Sequence, residues 1–219
     1  MTAAEKALDL IRNGMTIGLG SGRAAKRFIH VLGGVVGEGL RVRGVATSKA
    51  TATLAASLGI PLVTLDEVGE LDLTVDGADE VDDKLDLIKG YGGALVREKI
   101  VAASSKRLII LVGPEKLVPI LGWRGILPVE IIPFGQVLCQ RRLAQLGCRP
   151  VLRVENGQPF VSDNGNYILD CGVSPIDNPF DLERAILDIP GVVETGLFLG
   201  MAETVLIDNG SSVDVRPRS

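Results

Sequence analysis

The spacing of hydrophobic positions changes repeatedly between the period of a strand and that of a helix over the first half of the chain. Apolar runs predict strands at 15–20, 41–46, 61–65, 71–77, 85–90 and 107–113. Helical spacing predicts helices at 3–13, 23–36, 47–59 and 94–104. Strands that alternate with helices in this way predict an α/β fold in which helices cover both faces of a parallel sheet.

The pattern changes after Gly122, where GWRGILP is typical of a connector. The following residues predict strand VEIIP, a helix at 134–147, a strand at 149–154, strand NYILDC, a helix at 180–187 and strand VVETGLF. This β-α-β-β-α-β order is that of a small ferredoxin-like domain. The segments ETVLID and SVDVRP can return to the first sheet as strands. We therefore predict one domain at 1–125 with 200–219 and an inserted ferredoxin-like α/β domain at 126–199.

Composition excludes several function classes. The net charge is -4 and the pI is near 5.1, so the surface lacks the diffuse positive charge that nucleic-acid binding requires. No stretch reaches the roughly eighteen apolar residues of a membrane helix, and the first ten residues lack the pattern of a signal peptide. We therefore predict a cytoplasmic protein with no nucleic-acid partner and no membrane partner.

The reactive side chains favour acid–base chemistry by a carboxylate or a lysine. Cys139, Cys148 and Cys171 form no C-x-x-C pair and have no nearby histidine, so we predict reduced core thiols and no metal site. His30 is the only histidine and lies among apolar residues on a predicted helix, where a role without chemistry is favoured. Any acid–base step therefore falls to Asp, Glu or Lys.

The segment GLGSGRAA follows the first predicted strand and begins a helix, so its backbone N–H groups predict an anion site. From Gly20 it also fits the loose dinucleotide pattern G-x-G-x-x-A. A dinucleotide site requires an acidic residue about twenty positions later, where this chain has Ala46, Thr47 and Ser48. Phosphate binding is therefore favoured over dinucleotide binding, and a plain tight turn is the alternative without function.

Five carboxylates follow the strand at 71–77 in the segment DGADEVDD, with a spacing that does not match a calcium loop. The last two are typical of a solvated turn. Asp76 ends the strand, and Gly77 and Ala78 let a ligand approach the backbone closely before Asp79. We therefore predict that Asp76 and Asp79 are functional.

The segment IKGYGGALVREK places Lys89 at a strand end, then three glycines, then a helix that contains Glu98. The positions three or four residues from Glu98 are apolar, namely Ala94, Leu95, Val101 and Ala102. Desolvation raises the pKa of a carboxylate towards neutrality, which suits a base that accepts and returns a proton. Glu98 is therefore a candidate general base. The alternative is a partly buried glutamate held by backbone donors.

Seven segments in order carry a family resemblance: GLGSG, TSKAT, VDGADEVD, KGYGGALVREKIVA, LPVEIIP, SDNGNYILD and IPGVVETGLF. Together they resemble the ribose-5-phosphate isomerase A family over nearly the whole chain. The resemblance implies a Rossmann-like, doubly wound parallel sheet in the catalytic domain and an inserted domain that helps assembly into a homodimer or homotetramer. It also implies a phosphorylated pentose as substrate, in the non-oxidative pentose phosphate pathway, and no metal or organic cofactor.

The resemblance implies roles for particular residues. Glu98 corresponds to the proton acceptor, which takes the proton from C2 of open-chain ribose 5-phosphate and returns it at C1 of ribulose 5-phosphate through a cis-enediolate. Asp76 or Asp79 would assist ring opening and proton exchange, and Lys89 would stabilise charge that develops on oxygen. The residues implied to bind substrate are Ser21, Gly22, Arg23, Ala24, Gly77, Ala78, Gly90, Tyr91, Gly92 and Lys116.

Two loops depart from the family pattern. The phosphate loop of the family reads G-T-G-S-T, and this chain loses two hydroxyl donors in having Arg23 and Ala24. We predict that the Arg23 guanidinium supplies a charge-assisted contact to phosphate in their place. The glycine loop of the family reads K-G-G-G, and here Tyr91 predicts a narrower pocket or a contact between its phenol and the substrate.

Three other functions fit part of the pattern. The main alternative is a non-catalytic sugar-phosphate sensor of the same fold. Such regulators carry a helix-turn-helix ahead of the fold, whereas this chain reaches its first strand by Met15 and retains Glu98 and Lys89. A carboxylate-nucleophile enzyme such as a CoA transferase would use Glu98 covalently. A dehydrogenase is disfavoured by Thr47 and Ser48.

Overall fold

The computed structural model describes residues 1–218, which form two compact units. The first unit contains Met1–Ala78, Arg97–Lys116 and 201–218, and the second contains Asp79–Val96 and Leu117–Gly200. The second unit thus takes in residues 79–96 and 117–125, which lie outside the insertion predicted at 126–199.

The helices are α1 (Ala3–Leu8), α2 (Gly22–Gly37), α3 (Lys49–Ser57), α4 (Leu65–Val68), α5 (Leu95–Ala103), α6 (Gln136–Gln145) and α7 (Pro179–Leu187). Strands in the first half are β1 (Thr16–Leu19), β2 (Arg43–Ala46), β3 (Leu73–Gly77), β4 (Glu80–Val81), β5 (Leu87–Ile88) and β6 (Leu108–Val112). The later strands are β7 (Ile126–Ile131), β8 (Arg149–Leu152), β9 (Val154–Glu155), β10 (Gln158–Pro159), β11 (Tyr167–Gly172), β12 (Val192–Thr195), β13 (Leu197–Phe198), β14 (Thr204–Asp208) and β15 (Val213–Pro217).

A six-stranded sheet forms the centre of the first unit, in the order β15-β14-β6-β3-β1-β2. Neighbouring strands are parallel except for β14 and β15, which pair antiparallel at one edge. Every residue of β1 and of β6 is buried, as expected for apolar strands covered on both faces. The largely parallel sheet confirms the predicted α/β class, and β14 and β15 return to it as predicted.

The strand order reverses at β1, because β2 and β3 lie on opposite sides of it. In sheets of this kind ligands bind outside the carboxyl ends of the strands at the reversal. Here those ends are the loop that begins at Gly20 and the pair Asp76 and Gly77. The topology therefore directs attention to the first two candidate segments.

Helix α2 packs on this sheet through one apolar stripe. Phe28, Ile29 and Leu32 are fully buried, at the spacing that places side chains on one face of a helix. They share a core with Ile17 and Leu19 of β1. Burial of each large apolar side chain contributes about 2 kcal/mol, so this stripe fixes the position of α2 against the sheet.

The second unit contains a four-stranded antiparallel sheet in the order β12-β7-β11-β8, with α6 and α7 between its strands in the chain. A separate core fills this unit, with Val129, Leu169 and Cys171 among its members. A smaller sheet has the order β13-β5-β4. The order of elements along the chain from β7 to β12 is the one that the sequence predicts, with the short hairpin β9-β10 added.

Two buried glutamates organise loops of the second unit. Glu80 accepts hydrogen bonds from the backbone N–H groups of Gly122 and Arg124, each at 2.7 Å. Glu130 is fully buried, and its Oε1 accepts from the hydroxyl of Ser162 and from the side-chain amides of Asn164 and Asn166. Because a buried carboxylate is costly without donors, these contacts explain why charged residues occupy interior positions.

Several predicted elements are wrong in detail. Residues 61–65 form no sheet strand. Leu62 makes an isolated bridge to Gly44, and the Thr64 N–H donates to Glu67 Oε2 at 2.6 Å, which starts α4 instead. The predicted strand at 85–90 shrinks to β5. The single strand predicted for VVETGLF divides at Gly196 into β12 and β13, which belong to different sheets.

No helix within residues 1–218 is both long enough and apolar enough to cross a membrane. Within the same residues, no group of three or more His, Cys, Asp or Glu side chains is arranged to hold a metal ion.

Candidate active site

The loop after β1 lies against the end of β3 in the first unit. The Gly20 N–H donates to the carbonyl oxygen of Val75 at 3.0 Å, and the Ser21 N–H donates to Asp76 Oδ1 at 3.0 Å. Asp76 is 1% exposed, and its Oδ1 also accepts from the Gly77 N–H at 2.7 Å. Two backbone donors therefore fix the orientation of this carboxylate. The strand order thus brings the two candidate segments into contact.

Only glycine fits at position 20. A Cβ atom there would lie 2.2 Å from Asp76 Oδ1 and 2.6 Å from Asp76 Cα, which are separations that no side chain tolerates. At Gly22 the reason is conformational, because its φ of +86° lies in the left-handed region. The glycines of this loop thus permit a close backbone approach at one position and a sharp entry into α2 at the next.

The start of α2 presents backbone donors. Ser21 occupies the N-cap position with extended backbone, but its side chain makes no capping hydrogen bond within the part of the chain that the structure describes. The first N–H groups of a helix point along its axis and carry partial positive charge, so this end can bind an anion. Gly22 and Arg23 are exposed there, and Ala24 is half-buried.

The hydroxyl of Ser21 belongs to a cluster at the ends of β1 and β2. Ser21 Oγ donates to Ser48 Oγ at 2.9 Å, Ser48 Oγ donates to Thr51 Oγ1 at 3.0 Å, and Thr51 Oγ1 donates to the Gly20 carbonyl at 3.0 Å. Thr47 Oγ1 lies 2.8 Å from Ser21 Oγ and donates to a backbone carbonyl of β1. Each hydroxyl proton therefore has an acceptor within the protein, and the cluster ties the loop to the start of α3.

Sequence reasoning missed this cluster. Thr47, Ser48 and Thr51 entered as part of a helix pattern and of the segment TSKAT, and the first two as evidence against a dinucleotide site, but no contact among their hydroxyls was predicted. The signal was the close succession of hydroxyl residues at the end of a strand. Because the N–H and the hydroxyl of Ser21 are both used internally, its predicted contact with substrate stays a prediction.

Glu98 lies on α5 and is 5% exposed. Leu95, Val101 and Ala102 are buried on the same helix, whereas Arg97 and Lys99 are only half-buried. The predicted placement of a carboxylate within an apolar stripe is thus confirmed. Lys116 ends a short 3-10 turn after β6, where its N–H donates to the Gly113 carbonyl at 3.0 Å, and its side chain is half-buried.

The second unit holds the glycine loop that contains Lys89, Gly90, Tyr91 and Gly92. Lys89 is 3% exposed, its N–H donates to the Gly196 carbonyl at 2.9 Å, and its Nζ lies 5.4 Å from the ring centroid of Phe198. A Cβ atom at Gly196 would lie 2.3 Å from the Lys89 carbonyl oxygen, so the close approach of the two backbones requires glycine there. The backbone of Lys89 is thereby held against Gly196, and its Nζ lies over the ring of Phe198.

Tyr91 is anchored at both ends. Its N–H donates to Asp79 Oδ2 at 3.0 Å, its ring packs against the core of the second unit, and its hydroxyl donates to the Ile126 carbonyl at 3.4 Å. Burial, reinforced by the negative charges of Glu80 and Asp79, raises the pKa of Tyr91 to about 12. The phenol is therefore protonated at neutral pH and acts as a hydrogen-bond donor.

The candidate residues thus fall in both units. The first unit holds Ser21, Gly22, Arg23, Ala24, Asp76, Gly77, Ala78, Glu98 and Lys116, and the second holds Asp79, Lys89, Gly90, Tyr91 and Gly92. In the first unit, contacts join Ser21 to Asp76, and a Cβ at Gly77 would lie 3.6 Å from Ala24. In the second, a contact joins Asp79 to Tyr91.

Comparison with known proteins gives a consistent result. Residues 43–212 match the family model of ribose 5-phosphate isomerase A (phosphoriboisomerase A). Ribose-5-phosphate isomerase A of Gloeobacter violaceus is 52% identical over 215 residues, which cover 98% of this chain and 94% of that protein. The protein of the same name from Roseiflexus castenholzii is 54% identical over 208 residues, with coverage of 94% and 89%.

Solved structures are similar over the same extent. Ribose 5-phosphate isomerase A of Methanocaldococcus jannaschii has a TM-score of 0.94 and 40% identity, with coverage of 99% of this chain and 96% of that one. A D-ribose-5-phosphate isomerase in complex with phospho-erythronic acid has a TM-score of 0.95 and 39% identity, with the same coverage.

Proposed function

The chain belongs to the ribose 5-phosphate isomerase A family, and we propose that it interconverts D-ribose 5-phosphate and D-ribulose 5-phosphate with Glu98 as the proton acceptor. The motif resemblance drawn from the sequence is thereby confirmed. The main support for this reaction is that about half of all residues, over nearly the full chain, are identical to those of isomerases of this name. The burial of Glu98 within an apolar stripe supports its role as base.

The bound molecule of one relative supports a phosphorylated pentose as substrate. Phospho-erythronic acid combines a phosphate with a sugar-acid carboxylate. A carboxylate has the planar O–C–O arrangement and the negative charge that resemble an enediolate, which is the species that an isomerase of this kind must stabilise. We infer that this chain binds a phosphorylated pentose in the same way.

Proton transfer accounts for the chemistry. Glu98 removes the proton from C2 of the open-chain aldose, and the electron pair moves to form the C1–C2 double bond of a cis-enediolate while O1 gains negative charge. A proton then passes from O2 to O1, and Glu98 returns its proton to C1, which leaves a carbonyl at C2. A base buried among apolar side chains suits both transfers, because its carboxyl group is shielded from solvent while it accepts the proton from C2 and returns it to C1.

The other polar residues take supporting roles in this proposal. Asp76, which is held by two backbone N–H groups, or Asp79 assists ring opening and proton exchange at the sugar hydroxyls. Lys89 stabilises the charge that develops on O1 and O2. The proposed substrate contacts also include Gly77 and Ala78 in the first unit and Gly90, Tyr91 and Gly92 in the second.

Phosphate recognition is assigned to the start of α2 and to two cations. The N–H groups that follow Ser21 and Gly22 offer directed donors, and Arg23 adds a charge-assisted contact that replaces the two hydroxyls of the family loop. Lys116 supplies a second positive charge to the phosphate. The hydroxyl groups of Ser21, Ser48 and Thr51 donate to one another and to the Gly20 carbonyl, which holds the loop in place. This supports the assignment of phosphate binding to backbone N–H groups and cations.

The finer architecture is also a proposal. We infer that residues 126–199 form an inserted ferredoxin-like domain, which is supported by the antiparallel strand order β12-β7-β11-β8. The exposed apolar side chains Ile132, Phe134 and Val137 support a role for this part in assembling a homodimer or homotetramer. The enzyme acts in the cytoplasm, without a metal or an organic cofactor.

The test is an assay of the purified chain with ribose 5-phosphate and, separately, with ribulose 5-phosphate, in buffer that contains EDTA. We expect both reactions to converge on the same ratio of aldose to ketose. Binding of ribose 5-phosphate without turnover would contradict the proposal and indicate a sugar-phosphate sensor. Activity that requires added metal would contradict the proposed metal-independent route.

A further inference from the structure

We propose that Arg153 is a positioning residue for the isomerase reaction, because it fixes the peptide planes of the glycine loop in the second unit. This inference rests on the proposed function, in which Lys89 and the residues that follow it contact the substrate. Arg153 itself does not belong to the predicted site and lies more than sixty residues further along the chain.

The guanidinium of Arg153 contacts two successive carbonyl groups of the loop. Its Nη1 donates to the Gly90 carbonyl at 3.0 Å and to the Tyr91 carbonyl at 3.2 Å. On its other edge, Nε donates to Asp170 Oδ2 at 2.9 Å, and Nη2 donates to Asp170 Oδ1. The side chains of Arg153 and Asp170 are 15% and 29% exposed, so the pair is largely shielded from solvent screening.

Two further contacts restrain the guanidinium. Its central carbon lies 5.7 Å from the ring centroid of Phe160, which is a cation–π arrangement. Phe160 in turn closes on the end of the loop, since a Cβ atom at Gly93 would lie 2.5 Å from Phe160 Cζ. Asp170 and Phe160 thus hold Arg153 from two sides.

The opposite side of the loop is held by Asp79. In a trans peptide the C=O and N–H groups point in opposite directions. The plane between Gly90 and Tyr91 accordingly donates its N–H to Asp79 and turns its C=O to Arg153. The same geometry in the next peptide, whose C=O also faces Arg153, directs the Gly92 N–H towards the side on which Asp79 lies. That donor is thereby presented to a substrate oxygen.

Lysine cannot replace Arg153 in this arrangement. The planar fork of the guanidinium makes a bidentate contact with Asp170 while its remaining donors reach the loop carbonyls, whereas an ammonium offers one centre. The glycines of the loop have wide conformational freedom, with φ angles of +106° at Gly90 and +80° at Gly93, and the hydrogen bond from the Gly93 N–H to the Gly90 carbonyl at 3.0 Å closes only the turn itself. Loss of Arg153 should therefore release the loop.

The experiment compares Arg153→Met and Arg153→Lys with a matched control, Arg107→Met. Arg107 also forms a bidentate pair, with Glu203, through contacts of 2.8 and 2.9 Å, but it lies in the first unit outside the candidate site. We would measure kcat and KM for ribose 5-phosphate, the melting temperature, and hydrogen exchange at the amides of Tyr91 and Gly93.

We expect Arg153→Met to lower kcat by about 100-fold, the loss that a displacement of about 1 Å can produce in a positioned group. Exchange at Tyr91 and Gly93 should rise, and Arg153→Lys should recover only part of kcat. Arg107→Met should keep kcat and loop exchange unchanged, whatever its effect on the melting temperature.

Two outcomes would overturn the inference: an unchanged kcat per folded molecule in Arg153→Met, or loop exchange equal to that of the control. A wild-type chain without isomerase activity would instead contradict the proposed function. In that case loop exchange and the affinity for ribose 5-phosphate decide whether Arg153 orders the loop, because neither requires turnover.

Discussion

At the scale of single residues, Gly20 determines how closely the loop after β1 approaches the end of β3. We predict that Gly20→Ala destabilises the protein by about 3 kcal/mol, because the added Cβ meets the backbone of Asp76 and cannot be relieved by a side-chain rotation. Residual folded protein should have a reduced kcat/KM, since Asp76 must move. Denaturant unfolding and an isomerase assay measure the two effects.

Gly34 provides the matched control. It lies on the exposed side of α2, and a Cβ built there has no atom within 4 Å. Gly34→Ala should raise the free energy of unfolding by about 0.5 to 1 kcal/mol, because alanine loses less backbone entropy in a helix. An equal change in the free energy of unfolding for Gly20→Ala and Gly34→Ala would contradict the close packing of the loop on Asp76.

Arg23 tests how this chain compensates for the hydroxyls absent from its phosphate loop. Arg23→Ala should raise the KM for ribose 5-phosphate by about tenfold, equivalent to about 1.4 kcal/mol, with a smaller effect on kcat, because the phosphate is bound equally in substrate and transition state. Lys26→Ala, also exposed on α2, should leave KM nearly unchanged. A similar rise in KM for both variants would indicate only a diffuse effect of positive charge.

The residue types that carry chemistry were predictable to different degrees. The burial of Glu98 followed from apolar neighbours at helical spacing, whereas the contact between Ser21 and Asp76 became visible only once the strand order placed β1 beside β3. The hydrogen bonds among the hydroxyl groups of Ser21, Ser48 and Thr51, and the contact of Arg153 with the glycine loop, were not predictable. Both depend on tertiary packing between segments that are distant in sequence and have no periodic signature.

At the scale of elements, the turn at residues 162–166 shows how one buried charge organises a loop. Glu130 Oε1 on β7 accepts from Ser162 Oγ at 2.9 Å, from Asn164 Nδ2 at 3.1 Å and from Asn166 Nδ2 at 2.9 Å. The turn closes on itself through the Ser162 N–H and the Asn166 carbonyl at 2.9 Å. The motif SDNGN therefore depends on a carboxylate that lies more than thirty residues earlier in the chain.

We predict that Glu130→Ala lowers the free energy of unfolding by about 3 kcal/mol, because buried Ser162, half-buried Asn166 and exposed Asn164 lose a buried charged acceptor at once. Glu155→Ala is a suitable comparison, since Glu155 is exposed on β9 and its loss should change stability by less than about 0.5 kcal/mol. Equal effects in urea unfolding of the two variants would contradict the role assigned to Glu130.

Element types were more predictable than element limits. The apolar run at 61–65 indicated a strand. In the structure the Thr64 N–H instead donates to the Glu67 side chain, and this capping box begins α4. VVETGLF divides at Gly196, whose N–H donates to the Pro128 carbonyl of β7 while its own carbonyl accepts from the Lys89 N–H beside β5. Such contacts arise only after distant strands have packed.

At the scale of the whole molecule, Asp208 joins the amino-terminal helix to the penultimate strand. Its Oδ2 accepts from the Ala3 N–H at 3.1 Å, and its Oδ1 accepts from the Gly210 N–H at 3.0 Å. The Ala3 N–H, followed by the Gly210 N–H, lowers the pKa of Asp208 below its ordinary value. The ionised form is therefore favoured in the folded state.

This shift predicts a pH dependence of stability. Because the pKa of Asp208 is lower in the folded than in the unfolded chain, its contribution is complete above the unfolded pKa and is lost as the pH falls through the folded pKa. The melting temperature of wild type should therefore exceed that of Asp208→Asn at pH 6 to 7, and the difference should shrink below about pH 4. A difference that stays constant down to acid pH would contradict this account.

The fold class of the molecule was predictable because it follows from periodicity and chain order, whereas the strand order was not predicted. Apolar strands that alternate with helices require a parallel sheet, and the late segments returned to it as β14 and β15. The limits of the two compact units were less accessible. Residues 79–96 follow directly on the first sheet in sequence, yet β4 and β5 pair with β13 and so join the second unit.

The most direct test of the account follows the proton itself. Purified wild type and Glu98→Gln would be incubated with ribose 5-phosphate in D₂O with EDTA, and deuterium at C1 of the ketose would be measured by NMR. We predict turnover with deuterium at C1 in wild type, and a variant that still folds and binds ribose 5-phosphate but neither isomerises it nor incorporates deuterium. Near-normal turnover by Glu98→Gln would contradict the central claim that Glu98 carries the proton between C2 and C1.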